Sequence, residues 1–144
     1  MAQTLYPVST TSSNTATINI TSAQLLAINT TPIPLVAAPA AGQALVIDAL
    51  FFEMTATATA YTSGATVFPV YHGATTGLLS STVPASIVTA TGPSTTYNYL
   101  SGVELVSGGF VPTTGTGIDL YSATNFATGT GTAKVQVWYK LITL

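Results

Sequence analysis

Seven side chains of this 144-residue sequence are Asp, Glu, His or Lys, and Arg is absent, so little acid–base chemistry is available to it. They are Asp48, Glu53, His72, Glu104, Asp119, Lys134 and Lys140. A hydrolytic triad needs a nucleophile, a histidine base and a carboxylate brought together. The single histidine is not accompanied by a Gly-x-Ser-x-Gly elbow. Because the chain contains 28 Thr and 12 Ser, a hydroxyl close to His72 in the sequence is no evidence for a catalytic nucleophile. The sequence therefore predicts no catalytic residue.

The four carboxylates are too scattered to predict a catalytic or metal-binding cluster. Asp48 and Glu53 are five residues apart, and in a regular strand an odd spacing places two side chains on opposite faces. Glu104 and Asp119 each stand between apolar residues. Glycosidases need two carboxyls flanking one bond, and Ca²⁺ needs several oxygen ligands. We therefore interpret Asp48 and Glu53 as partners in salt bridges or hydrogen bonds, within or between subunits.

Cofactor chemistry is equally poorly represented. The sequence contains no Cys, which leaves neither disulfides nor thiolate metal sites. The glycine-rich stretch at 128–132 lacks the following Lys and helix of a phosphate-binding loop. The sequence therefore predicts no cofactor and no metal site.

The composition excludes several classes of protein. Charged residues make up 4% of the chain, and two lysines cannot form the basic face that nucleic acid requires. The apolar fraction of 47% is too high for intrinsic disorder. No apolar run is long enough for a membrane-spanning helix, and the N-terminus lacks the pattern of a secretory signal. Because a net charge of −2 protects poorly against self-association, we expect much of the surface to be covered in an assembly.

The elements that would position these side chains are mainly strands. Thr, Val, Ile, Tyr and Phe are abundant, and turn residues recur at short spacing. This pattern predicts an all-β fold, an antiparallel jelly-roll-like β-sandwich, with a distorted up-and-down barrel as the alternative. It indicates an extended N-terminal arm at 1–14 and a single β-sandwich domain at 15–144.

One short helix is predicted near residues 22–29. Thr21 and Gln24 fit a capping box at its start, and Asn29 with Pro32 ends it. Prolines interrupt two extended segments, so 31–38 is predicted as an edge strand or a covering segment, and 66–71 as an edge strand or a bulged one. Further strands are predicted at 78–89 and 97–106. Residues 44–55 are apolar at both parities, which predicts a strand buried on both faces. One face would be the core of the sandwich, and the other would meet a helix, the arm or another subunit.

Aromatic residues suggest where contacts are made. In the predicted strand 132–143, Trp138 shares a face with the two lysines, which suits a partly wet interface or packing beneath the arm or the helix. Leu5, Tyr6 and Val8 form an apolar patch in the arm, which is either a frayed terminus or a tether that docks on a neighbour. Tyr97 and Tyr99 lie on one strand face, where we expect cross-strand or core contacts.

Residues 22–43 resemble a pattern in small structural proteins of tailed phages. There a short helix leads into Thr-Pro, then Leu-Val, Ala-Pro and Gly, and then an apolar strand. The matching positions are Thr31-Pro32, Leu35-Val36, Ala38-Pro39 and Gly42, whereas Ala41 and Gln43 stand where Gly and Lys are frequent. The chain thus resembles phage capsid decoration (cement) proteins over about a sixth of its length. That resemblance implies trimers clamped over capsomer junctions, often with a jelly-roll fold, and no catalytic residues.

The expected function is that of a non-enzymatic virion protein that binds and stabilises the capsid shell. Its partners would be the major capsid protein and copies of itself, with a trimer favoured, and neither nucleic acid nor membrane. It would be made in the host cytoplasm and reside on the capsid exterior.

Three other functions remain as alternatives. A tail or fibre module would bind a host surface glycan through tyrosines such as Tyr61, Tyr71 and Tyr121. A small β-sandwich hydrolase would depend on His72. The third alternative is the capsid shell protein itself, for which 144 residues is short.

Overall fold

A computed structural model describes residues 13–102 and 112–144 as an all-β sandwich, which confirms the predicted fold class. In chain order the elements are β1 (Asn14–Ile20), α1 (Ser22–Leu26), β2 (Ile33–Val36), β3 (Gln43–Ala56), β4 (Val67–Tyr71), α2 (Ala85–Val88), β5 (Ser94–Ser101), β6 (Ile118–Ser122) and β7 (Thr132–Thr143). The jelly-roll connectivity stays a prediction. Leu5, Tyr6, Val8 and Glu104 lie outside the described residues.

Two antiparallel sheets enclose the core. One has four strands in the order β1-β7-β3-β5, and the other has three in the order β2-β6-β4. The edge strands β2 and β4 carry Pro34 and Pro69, which confirms the edge position among the predicted alternatives, since proline cannot donate to a ladder. The core between the sheets includes the buried side chains of Ile20, Leu50, Phe52, Met54, Ile118, Leu120, Val135 and Val137.

A β-bulge at Asp48 changes which residues of β3 face the core. Leu45 and Ile47 are buried before it, and Phe52 and Met54 are buried after it, so the parity of the inward positions reverses. A bulge inserts one unpaired residue and thereby shifts the alternation. Each half of the strand therefore has one core face and one outer face within the described residues, and cover of the outer face by the arm or by another subunit stays a prediction.

The capped helix α1 is shorter than predicted. Its capping box is confirmed: the Gln24 backbone N–H donates to Thr21 Oγ1, and the Thr21 N–H donates to Gln24 Oε1 at 2.9 Å. The helix ends at Leu26 rather than at residue 29. Asn29 is held elsewhere, since its backbone N–H donates to Asn125 Oδ1 at 2.8 Å.

Residues 78–89 do not form the predicted strand. Ser80 and Val83 make isolated bridges, and α2 follows directly after Pro84. Pro84 has no N–H for a ladder, and it occupies the N-cap of this helical turn. The segment packs along β4, where Val83 and Val67 exchange backbone hydrogen bonds.

Candidate functional site: the outer face of the four-stranded sheet

Four aromatic side chains lie on the outer face of the four-stranded sheet. Phe51 on β3 is opposite Tyr99 on β5, and Tyr97 is opposite Glu53. Trp138 on β7 is opposite Ala49, beside the bulge. Residues opposite one another in a ladder point to the same side of the sheet. Phe51, Tyr97, Tyr99 and Trp138 therefore share one surface, which we call the aromatic face.

The aromatic face is open to solvent at its tyrosines. Tyr97 is 58% exposed and Tyr99 is 67% exposed, although large apolar rings are usually covered in a monomer. Phe51 and Trp138 are half-buried. Phe51 stacks on Tyr97 with ring centroids 5.6 Å apart and planes 25° apart. The rings thus form an ordered apolar surface on a sheet, which is typical of an interaction site.

The residue before β1 lies on the same face. Ser13 Oγ donates a hydrogen bond to Asp48 Oδ2 at 2.6 Å. Ser13 also lines an open depression of about 310 Å³ together with Asp48, Ala49, Tyr99 and Trp138. In the sheet, β7 lies between β1 and β3, so the Ser13–Asp48 hydrogen bond spans the outer side of β7, the strand that carries Trp138. Residues 1–12 are therefore joined to the domain beside the aromatic face.

Two ion pairs border the aromatic face and neutralise its charges. Lys134 Nζ lies 2.8 Å from Glu53 Oε2, and Lys140 Nζ lies 3.0 Å from Asp48 Oδ1. The predicted salt bridges are thus present within the subunit. The prediction that Asp48 and Glu53 lie on opposite faces is wrong, because the bulge brings both carboxylates to the outer face. The aromatic face therefore carries aromatic rings and paired charges, and not a row of charges of one sign.

Trp138 follows the predicted alternation of its strand. Val135 and Val137 are buried, whereas Lys134 and Trp138 lie half-buried on the other face. Packing beneath the helix is not its role, since Leu25 of α1 belongs to the core cluster on the inner side of the sheet. The alternative cover, the arm with Leu5, Tyr6 and Val8, falls outside the described residues.

The three tyrosines considered for glycan binding are structural instead. Tyr61, Tyr71 and Tyr121 are all buried. The Tyr61 hydroxyl donates to the Gly131 carbonyl at 2.7 Å, and the Tyr71 hydroxyl donates to the Leu45 carbonyl at 2.7 Å. Burial raises the pKa of Tyr61 to about 12 and also raises the pKa of Tyr71. These rings hold the core together and have no open face for a ligand.

Of the cross-strand or core contacts predicted for Tyr97 and Tyr99, the cross-strand alternative is confirmed for Tyr97, which stacks on Phe51. The sequence did not predict how exposed the two tyrosine rings are. Leu100 is the residue of β5 that indicates their orientation, because it is buried and has the opposite parity to both tyrosines. An apolar residue at that position sets the inward parity of β5 and sends both tyrosines outward.

A second group of polar side chains lies on the three-stranded sheet. His72 Nδ1 is 2.7 Å from Asp119 Oδ2, and Asp119 is buried. Such a pair orients the imidazole, as a catalytic histidine would require. Acyl transfer would also need an activated hydroxyl. The nearby Thr116 hydroxyl donates instead to the Thr114 carbonyl at 3.2 Å.

The described part of the chain can be compared with the requirements of a metal-binding cluster and of a membrane-spanning helix. Residues 13–102 and 112–144 contain no group of three or more His, Asp or Glu side chains arranged to hold a metal ion. Among the same residues, no helix is long and apolar enough to cross a membrane.

No protein-family model matches the sequence, and no curated protein or solved structure is significantly similar to it.

Proposed function

We propose that this protein is a non-enzymatic structural component of a phage virion that binds the outside of the capsid shell and stabilises it. The major capsid protein is its partner, and the active form is a homo-oligomer, with a trimer favoured. The aromatic face is the surface that meets the shell. The exposure of Tyr97 and Tyr99 on an ordered sheet is the observation that carries this proposal.

The chemistry of the aromatic face suits a protein interface. Interface centres are enriched in Tyr, Trp and Phe and depleted in unpaired charge. The lysines beside these rings already have carboxylate partners within the subunit. Docking would therefore cover apolar rings without burying an uncompensated charge, which is the expensive step in forming an interface.

Three features of the sequence support the same function. The low charge fits a surface that remains covered in an assembly, and closed cyclic symmetry is the usual arrangement of such subunits. Residues 22–43 resemble phage decoration proteins. The arm that contains Leu5, Tyr6 and Val8 joins the described residues at Ser13, which lies beside the aromatic face, and a tether would start from that point.

Replacing both exposed tyrosines tests this proposal. Tyr97→Ala combined with Tyr99→Ala removes two exposed rings, and we expect the domain to keep its fold. If the rings are interface hot spots, the affinity for shells stripped of this protein falls by a factor of about 30 or more. Co-sedimentation with stripped shells measures this change. Leu78→Ala, which removes an exposed apolar side chain elsewhere, is the matched control and retains binding. Equal binding by all the variants would refute the proposal.

A tail or fibre module that binds a glycan is the second candidate. The specific observation in its favour is the depression lined by Tyr99 and Trp138 together with the polar groups of Ser13 and Asp48. Sugar rings stack on aromatic faces and hydrogen-bond to such groups. Retention of the isolated protein on a glycan array, lost in Tyr99→Ala, would favour this candidate over shell binding.

A further inference from the structure

The outer side of the three-stranded sheet contains a depression of about 470 Å³. It lies on the opposite sheet from the aromatic face and does not depend on the function proposed for that face. Asp119 of β6 and His72, which follows β4, contribute its polar groups. The remaining lining is apolar or glycine-rich: Pro34, Val36, Ala37, Ala38, Gly115 and Gly117, with Thr116 between the glycines.

Asp119 has unused hydrogen-bonding capacity at this depression. Its side chain is 6% exposed, and Oδ2 lies 2.7 Å from His72 Nδ1. In the described part of the chain, Oδ1 makes no hydrogen bond, and it is not enclosed away from solvent. A carboxylate has four lone-pair positions, so one oxygen of Asp119 remains available to a donor.

The negative charge of Asp119 is not balanced by a lysine of this chain. Both lysines of the sequence pair with carboxylates on the other sheet, Lys134 with Glu53 and Lys140 with Asp48. The one ionisable partner of Asp119 among the described residues is His72, whose Nδ1 lies 2.7 Å from Oδ2. Because His72 contacts Oδ2 alone, Oδ1 can accept a hydrogen bond from a second, cationic donor.

We propose that this depression, the Asp119 pocket, binds a basic side chain, Lys or Arg, of a partner polypeptide. The carboxylate would accept a hydrogen bond from the ammonium or guanidinium group. The apolar wall at Pro34, Val36 and Ala37 would cover the methylene stem, since such side chains bury their stems while the charge stays at a polar group. The ligand class follows from charge and shape together.

Titration with N-acetyl-argininamide, followed by NMR, tests the Asp119 pocket on the whole protein without capsid shells. The expected result is a saturable shift of the Gly115, Gly117 and His72 amide signals at millimolar ligand. N-acetyl-citrullinamide has nearly the same shape without the charge, and it should give no saturable shift at these signals.

Two variants separate a built site from general charge attraction. Asp119→Asn keeps an acceptor for His72 and removes the charge, so binding should weaken about tenfold or more. Glu53→Gln removes the same charge from the opposite sheet, and its titration should match that of the unmodified protein. Equal binding of citrullinamide, equal binding by Asp119→Asn, or no saturable shift in the unmodified protein would each overturn the proposal. None of these results involves the aromatic face, so they leave the shell-binding test unaffected.

Discussion

Individual tyrosines of this protein have two distinct roles that their residue type alone does not reveal. Tyr61 and Tyr71 bury their rings and donate their hydroxyls to the backbone carbonyls of Gly131 and Leu45. Tyr97 and Tyr99 expose their rings on the outer face of β5. The first pair stabilises the fold, and the second pair forms the surface that we propose to bind a partner.

Replacement of Tyr61 by Phe should change how stability depends on alkaline pH. Burial raises the pKa of Tyr61 from 10.0 to about 12, so the folded protein keeps a proton that the unfolded chain releases. This contribution to stability is therefore complete below pH 10 and is lost as the pH rises towards 12. At neutral pH, Tyr61→Phe should lower the free energy of unfolding by about 1 kcal/mol, because the hydrogen bond to the Gly131 carbonyl is lost. Between pH 10 and 12, the free energy of unfolding of this variant should fall less than that of the unmodified protein.

Urea unfolding at neutral and alkaline pH measures both parts of the Tyr61 prediction. Tyr139→Phe, a second tyrosine substitution in the same protein, serves as a reference for general effects of losing a hydroxyl. If the unmodified protein and Tyr61→Phe lost stability in parallel as the pH rises, the assigned effect of burial would be wrong.

Among the elements, β3 organises the molecule because its bulge determines what both faces present. Because of the bulge at Asp48, odd-numbered residues face the core before it and even-numbered residues face the core after it. It also places Asp48 where it meets both Lys140 and Ser13. Without the shift, either Leu45 and Ile47 or Phe52 and Met54 would lie on the outer face.

Gly102 supports the bulge, and its replacement by Ala should be unusually destabilising. Its N–H donates to the Asp48 carbonyl at 2.9 Å, and an added Cβ would collide with the backbone carbonyl of Ile47. Backbone atoms on both sides would have to move, so we expect a loss of about 2–4 kcal/mol in the free energy of unfolding.

Gly42→Ala is the matched comparison for Gly102→Ala. Gly42 has φ +77° but open space at its Cβ position, so only backbone strain of about 1–2 kcal/mol applies. Chemical denaturation of both variants gives the two values. Equal losses would show that the close approach to Ile47 is unimportant.

Local patterns predicted the elements whose cause is local. The capping box of α1, the proline-bearing edges β2 and β4, and the alternation of β7 all depend on neighbouring residues. The bulge was not predictable, since residues 44–55 are apolar at both parities and the pattern is compatible with a regular strand. Residues 78–89 were misassigned because their apolar content did not distinguish a covering segment from a strand.

The candidate site was less predictable than the fold because it depends on long-range pairing. Trp138 was placed on the correct face from its own strand. The partners Phe51, Tyr97 and Tyr99 join it only through the register of three strands. The His72–Asp119 pair likewise joins residues 47 positions apart, which no local pattern indicates.

For the whole molecule, the small number of charges has a consistent arrangement. Within the described residues, four charges pair on the four-stranded sheet and the Asp119 carboxylate meets His72 on the other. The aromatic face therefore has exposed rings and little unpaired charge. This arrangement fits a subunit whose surface becomes covered in a larger assembly, and the two sheets offer it two different kinds of contact.

Removal of residues 1–12 should separate folding from shell binding. β1 begins at Asn14, so the truncated protein should keep the sandwich and its circular dichroism spectrum. It should bind stripped shells less tightly, because the apolar patch of Leu5, Tyr6 and Val8 is lost. Undiminished binding by the folded truncation would exclude the tether, although Tyr97 and Tyr99 would remain as the docking surface.

Electron cryo-microscopy of the parent particle tests shell binding most directly. We expect density for this chain on the outside of the capsid, with the β1-β7-β3-β5 sheet turned towards the shell and Tyr97 and Tyr99 in contact with it. Density confined to the tail, or an aromatic face turned towards solvent, would contradict shell binding through this face.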